Sequence, residues 1–191
     1  MDAHVVNGGD GRHQHPTQAL LDLFTIRQEL GHLEGLTVGI VGDIANSRVA
    51  GSLIPALRTV GARPIVIAPP TLLPARPDVL GAEVSNSLDD VLPELDVAYM
   101  LRIQMERSEG MPFPSLREYA RFYGMNATRL AKARPEMKVM HPGPMNRGVE
   151  ISADVADSKR AIVLDQVNSG VAVRMATMYL LLGGGDSGTA A

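Results

Sequence analysis

Short unbroken apolar runs alternate along this chain with stretches in which apolar residues return every three or four positions. Thr17 to Leu30 carries Leu20, Leu21, Leu23, Phe24 and Leu30 at helical spacing, with Pro16 at its start and Gly31 as a stop. Thr37-Val38-Gly39-Ile40-Val41 then reads as a buried strand. Arg48 to Val60 predicts a helix with Val49, Leu53, Ile54, Leu57 and Val60 on one face and Gly61 after it. Pro64 to Ala68 gives a second strand halted by Pro69-Pro70, and Ala82-Glu83-Val84 a short third, followed by a helical turn from Leu88 to Leu92. Asp96 to Met100 and Lys138 to Met140 are further strands. Between them lie a Pro/Gly-interrupted loop, Ser108 to Pro114, and two helical stretches, Ser115 to Tyr123 and Asn126 to Ala133.

A last helix is predicted from Ser169 to Leu182, and its apolar residues spread around most of its circumference. Such a helix calls for burial on several sides, so an exposed apolar patch and a tendency to associate are expected of this chain. The tail, residues 183–191, is too poor in apolar groups to order itself. Strand and helix alternating this regularly predicts a three-layer α/β/α domain, with a mostly parallel Rossmann-like sheet and helices on both faces.

Composition adds limits more than identity. The chain has 191 residues, 45% of them hydrophobic, with a net charge of -3 and no cysteine. This is enough to bury one core. It offers no basic footprint for nucleic acid or anionic membrane, no spanning segment, and no disulfide or thiolate metal site. A cytoplasmic protein is the expectation.

The candidate chemistry collects where strands end. In an open parallel sheet, ligands bind beyond the carboxyl ends of the strands. Here Val41 is followed by Gly42-Asp43 and by Ser47-Arg48. Met100 is followed by Arg102-Ile103-Gln104 with Glu106-Arg107, and Met140 by His141-Pro142-Gly143-Pro144. Each alone has an ordinary structural account, such as a turn aspartate or a solvated ion pair. Three polar strand ends on one rim point to a site. Arg48 and Arg102 offer two guanidinium forks that match carboxylates bidentately, which suits a small dicarboxylate. Gln104 offers both a donor and an acceptor. Near the N-terminus, His15-Pro16-Thr17-Gln18 sets an imidazole and a carboxamide at a helix entrance, where only Thr17 is an ordinary cap. The run Gly39 to Asp43 lacks a complete G-x-G-x-x-G and is not read as a nucleotide site. The methionines are read as core or interface filling, and His141 as shaping its turn through a backbone hydrogen bond.

Four spaced segments carry a resemblance. They are Gly9-Asp10-Gly11 with His15-Pro16-Thr17-Gln18-Ala19-Leu20-Leu21-Asp22, then Val41-Gly42-Asp43 with Ser47-Arg48-Val49, then Leu101-Arg102-Ile103-Gln104 with Glu106-Arg107, and His141-Pro142-Gly143-Pro144-Met145-Asn146-Arg147-Gly148. In this order they resemble the catalytic chain of the aspartate carbamoyltransferases, over about Val5 to Leu182. The resemblance implies transfer of the carbamoyl group of carbamoyl phosphate to the amino group of L-aspartate, in pyrimidine biosynthesis, without cofactor or metal. It implies that His15 bonds the carbamoyl carbonyl and steadies the tetrahedral intermediate. Gln18, with the backbone carbonyls of Pro142 and Gly143, holds the carbamoyl amide. Arg48 and Arg102 take the substrate carboxylates, Gln104 helps orient aspartate, and Gly143-Pro144 is cis.

A complete chain of the family also has a Ser-Thr-Arg-Thr phosphate-binding motif and a loop serine and lysine reaching a neighbouring subunit, and neither has a match here. The chain therefore resembles the aspartate-binding half. Residues 1–15 are expected to be a remnant of the carbamoyl-phosphate domain, and 16–182 the aspartate-binding α/β domain with its interdomain helices. The partners implied are the two substrates, the missing carbamoyl-phosphate domain or a complementing chain, further copies in a homotrimer, and a regulatory chain. Two alternatives stay open: a non-catalytic amino-acid-binding module, and a carbamoyltransferase for another amine such as ornithine. Against ornithine, its ammonium calls for an acceptor, whereas the motif here is Arg102-Ile103-Gln104.

Overall fold

A computed structural model describes residues 3–103 and 115–183. Gln104, Glu106, Arg107 and the predicted tail beyond Gly183 lie outside the described residues.

Five strands, β1 (Thr37–Val41), β2 (Arg63–Ile67), β3 (Glu83–Ser85), β4 (Val97–Met100) and β5 (Lys138–Met140), form one sheet in the order β3-β2-β1-β4-β5. All four pairings are parallel, with Val41 beside both Ile67 and Met100. Every residue of β1 and β4 is buried, as expected of parallel strands covered on both faces. Gly39 is required by that crowding, since a Cβ there would sit 2.7 Å from Leu95 Cδ1 and 3.0 Å from Ile67 Cδ1. The order runs outward from β1 in one direction and then restarts at β4. A crevice between the carboxyl ends of β1 and β4 follows from that reversal.

Helices α1 (Pro16–Leu30) and α2 (Arg48–Thr59) were expected within a residue of these bounds. α2 begins where Ser47 Oγ accepts from the Ala50 N–H (3.1 Å) and seals Leu53, Ile54 and Leu57 into the core. α3 (Leu88–Val91), α4 (Leu116–Tyr123) and α5 (Ala127–Lys132) are bound together by buried Arg129. Its guanidinium holds Asp89 and donates to the carbonyls of Gly124, Arg121 and Phe122. α6 (Ala153–Ala156) was not predicted, and four residues are too few for a periodic signal.

The last helix, α7 (Val163–Leu181), starts six residues before the predicted Ser169. Its first turns contain Asp165, Gln166 and Asn168, which lie before the predicted start. They are helical because Gln166 and Ser169 are buried against α1. The expected exposed apolar patch is present: Leu164, Val167, Val171, Met175, Met178, Tyr179, Leu180 and Leu182 are all exposed. Leu20, one of the apolar residues at helical spacing in α1, is 50% exposed. It lines an apolar groove of about 480 Å³ between α1 and α7, with Phe24, Val173 and Leu180.

Candidate active site

The site begins at the N-terminus of α1. His15, not Thr17, occupies the cap position, and its side chain makes no capping bond. Pro16 follows at the first helical position, where the missing N–H costs nothing. Thr17 is buried inside the first turn, with its hydroxyl 3.5 Å from His15 Nδ1. The entrance is held from α2 instead: the His15 N–H donates to Ser52 Oγ (2.8 Å). The preceding residue of α2, Gly51, lets the segment approach closely, since a Cβ there would meet the His13 carbonyl at 2.2 Å. Burial, then the nearby Arg48 and Arg174 cations, hold the half-buried His15 imidazole below its ordinary pKa. It is therefore mainly neutral at neutral pH, able to donate from one ring nitrogen.

Arg48 opens α2 beyond the end of β1. Its guanidinium lies against the 7–11 turn, where a Cβ on Gly9 would fall 2.7 Å from an Arg48 nitrogen. That turn is tied internally by Asp10, which accepts from the Gln14 N–H (2.5 Å), and by Asn7, which accepts from the Gly9 N–H (2.8 Å). Asp43, at the β1 end, is buried and occupied with Asn46, taking its backbone and side-chain N–H groups. It is a turn residue, and burial raises its pKa.

Arg102 follows β4 and is half-buried. The backbone just after it is held by Glu150, a fully buried carboxylate that was not singled out from the sequence. Glu150 accepts from the N–H of Ile103 (2.8 Å), from the N–H of Asn146 (2.8 Å) and from Asn146 Nδ2 (2.7 Å). One side chain thus ties the β4 exit to the loop after β5. In that loop Gly143-Pro144 is cis, as expected. His141 shapes the turn as expected, with Nδ1 accepting from the Gly143 N–H (2.9 Å). This bond assigns the ring proton to Nε2, which is buried with no partner among the described residues. Burial, with Arg102 nearby, pushes the His141 pKa down to about 4, so its ring stays neutral.

The β5 exit meets the α1 entrance. Gln18, His141, Pro142, Gly143, Gln166 and Arg174 border one cavity of about 250 Å³. His15, Thr17 and Arg174 border a second of about 340 Å³. The structure therefore brings Gln18 to the Pro142-Gly143 turn, with His15 next to it across Arg174. Arg48 and Arg102 stand at the exits of the adjacent strands β1 and β4.

Beneath Gln18 lies a network that the sequence reading missed. Asp22 is fully buried and takes Gln18 Nε2 (3.1 Å) and Gln166 Nε2 (2.8 Å) on one oxygen, and the Tyr99 hydroxyl (2.8 Å) on the other. Burial pushes the Asp22 pKa up to about 7, against these donors and Arg174. Gln18 and Asp22 are spaced i, i+4 on the face of α1 that also buries Leu21 and Thr25. That polar pair inside a buried stripe was the available signal.

The chain matches two family profiles. The one described as the Asp/Orn binding domain of aspartate/ornithine carbamoyltransferase covers residues 34–181, and the one for the carbamoyl-P binding domain covers residues 1–28. Among similar proteins, the aspartate carbamoyltransferase catalytic subunit of Thermobifida fusca is 58% identical over 184 residues, spanning 96% of this chain and 59% of that protein. The catalytic subunit from Syntrophotalea carbinolica is 56% identical over 183 residues, spanning 96% and 58%. Among solved structures, aspartate transcarbamoylase from Trypanosoma cruzi in complex with phosphate superposes with a TM-score of 0.79 at 33% identity, covering 91% of this chain and 58% of that one. The same enzyme in complex with carbamoyl phosphate and aspartate gives 0.77 at 33% identity, covering 90% and 58%. The chain thus spans under two thirds of the length of these relatives. With its fold, its strand-end residues and the 34–181 match agreeing, the chain belongs to the aspartate/ornithine carbamoyltransferase family.

Proposed function

We propose that this chain supplies the aspartate-binding part of an aspartate carbamoyltransferase, which transfers the carbamoyl group of carbamoyl phosphate to L-aspartate. The observation that carries the reading is the cavity that Gln18 borders together with the Pro142-Gly143 turn, with neutral His15 beside it. A carbamoyl group has two N–H donors and one carbonyl acceptor. Gln18 Oε1 and the backbone carbonyls of the turn supply acceptors, while His15 supplies a donor.

The aspartate amine bonds to the carbamoyl carbon, the bond from that carbon to the phosphate oxygen breaks, and the amine proton leaves with the phosphate. His15 donates to the oxygen that gains charge in between, where one oriented donor contributes roughly 2.7–4 kcal/mol. Arg48 and Arg102 take carboxylates, and Gln104 turns the amine toward the carbon. With no general base assigned, rate enhancement comes from positioning and electrostatics. Carbamoyl phosphate is gripped on its phosphate side by the carbamoyl-phosphate domain that the relatives carry, and this domain covers the apolar face of α7. A homotrimer, a regulatory chain and a cytoplasmic setting belong to the same proposal. Among the described residues no helix is long and apolar enough to cross a membrane.

The test is carbamoyl-aspartate formation by the chain alone and by the chain mixed with a separately expressed carbamoyl-phosphate domain. Product in the mixture, from aspartate and not from ornithine, is the expected result. Aspartate binding without product in either case would leave an amino-acid-binding module. Arg102→Ala weakens aspartate binding roughly a hundredfold or more, the cost of an unpaired buried carboxylate; unchanged binding would refute the placement of the dicarboxylate.

A further inference from the structure

Gln18 can read a carbamoyl group only if its amide faces the right way round. Its two ends are nearly isosteric, and with the amide reversed its NH2 would confront the N–H groups of the substrate. Asp22, four residues further along α1, decides between the two. The carboxylate takes three donors, from Gln18, Gln166 and Tyr99. Gln166 cannot trade roles, because its Oε1 already accepts from the His141 N–H (2.9 Å). The Gln18 nitrogen is thus bound to Asp22, and its oxygen is directed away from the carboxylate, in a side chain that borders the cavity with His141, Pro142 and Gly143.

We propose that Asp22 is a positioning residue for carbamoyl recognition: by holding Gln18 Nε2 it turns Gln18 Oε1 to accept from the carbamoyl N–H. The site thereby prefers a carbamoyl group to an isosteric acyl group bearing a methyl. The inference rests on the carbamoyl-transfer reading. Its particular feature is that an acceptor at Asp22, rather than a negative charge, is what counts. An asparagine in its place keeps one oxygen for Gln18 and Gln166, and its NH2 can donate to a Tyr99 hydroxyl that turns to accept. A leucine of similar size leaves both glutamine nitrogens without an acceptor.

Two measurements test this. The first is hydrogen exchange of the Gln18 side-chain NH2, followed by NMR in the chain by itself. Protection is expected in the unsubstituted chain and in Asp22→Asn, and loss of protection in Asp22→Leu. The second is the ratio of kcat/KM for carbamoyl phosphate to that for acetyl phosphate, in the mixture with the carbamoyl-phosphate domain. The ratio falls roughly tenfold in Asp22→Leu and is retained in Asp22→Asn, as expected for one recognition hydrogen bond. A folded Asp22→Leu chain that keeps both the protection and the ratio overturns the proposal. So does an unprotected Gln18 NH2 in the unsubstituted chain, or its loss of protection in Asp22→Asn, neither of which depends on the leucine variant folding. If protection follows the expected pattern but no carbamoyl-aspartate forms, the carbamoyl-transfer reading fails, while the hold of Asp22 on Gln18 stands.

Discussion

Helices α2 and α7 solve opposite problems. α2 buries Ala50, Ser52, Leu53, Ile54 and Leu57 and carries Arg58 and Thr59 outward, as an amphipathic helix on a sheet does. α7 buries Gln166, Ser169 and Gly170 and leaves its large apolar residues exposed. The core behind α2 is complete within this chain. The face of α7 is built for a surface that the described residues do not supply, and its inward side is specialised for hydrogen bonds to α1 and the His141 turn. In α7 the polar residues, not the large apolar ones, make the contacts with the rest of the chain.

Truncating one leucine in each helix and following urea unfolding of the chain should separate the two most sharply. Leu57→Ala, at a position with 0% exposure, should cost about 2–5 kcal/mol, from lost transfer energy and the cavity left behind. Leu180→Ala, at 67% exposure, should change stability by no more than about 0.5 kcal/mol. Comparable losses at the two positions would mean that α7 is covered in solution, by a second copy or by a rearrangement of the chain.

The same contrast explains what could be read in the sequence. β1, β2 and α2 were legible almost to the residue, because their apolar residues face inward and spacing reports burial directly. The start of α7 was misplaced because the polar residues Asp165, Gln166 and Asn168 interrupt its apolar pattern, and Gln166 is buried only because Asp22 lies opposite it, a contact spanning more than a hundred residues of sequence. Asp22 and Glu150 were missed as buried acceptors for the same reason. A lone acidic residue in a helix or loop normally faces water, and only the fold shows donors closing around both. His15 and Gln18 at the α1 entrance, and Arg48, Arg102, Pro142 and Gly143 beyond the strand ends, stood out as candidates through motif and resemblance. Gln104 lies outside the described residues, so its role rests on the motif alone.

The polar seam between α1 and α7 should also be visible in the pH dependence of stability. Burial raises the Asp22 pKa to about 7 from an ordinary value of 3.8. Between these two values the folded chain holds a proton that the unfolded chain has released. The stability contributed by Asp22 is therefore fully present below the lower value and is lost as pH rises toward the upper one, by at most roughly 1.4 kcal/mol per pH unit. Exposed carboxylates paired with arginine, such as Glu83 with Arg63, push the other way, so the useful quantity is a difference. Urea unfolding of the chain and of Asp22→Asn from pH 4 to pH 8 should show the variant gaining on the parent as pH rises, with no further gain above about pH 7.5. A constant difference across that range would mean that Asp22 stays in one protonation state, and that the seam is less dry than its geometry indicates.

The smallest effect on the fold should accompany a clear change in association. Replacing Val171, Met175 and Met178, exposed by 59%, 61% and 54%, with glutamine removes the middle of the apolar face without touching Gln166, Ser169 or Gly170. Helix propensity is nearly unaffected by Met to Gln and modestly improved by Val to Gln, so urea midpoints should move little. The unsubstituted chain should show an apparent mass above that of a monomer in light scattering at high concentration and should bind a dye that reports apolar surface. The triple variant should be monomeric and bind the dye weakly. Because Thr177 and Met178 border the cavity beside His15 and Arg174, the face and the site are contiguous. Whatever covers α7 therefore also closes one side of the pocket, and the triple variant should need more of the carbamoyl-phosphate domain to reach the same rate of carbamoyl-aspartate formation. If the variant became monomeric with no change in the amount of domain required, the apolar face of α7 would be an association surface separate from the pocket.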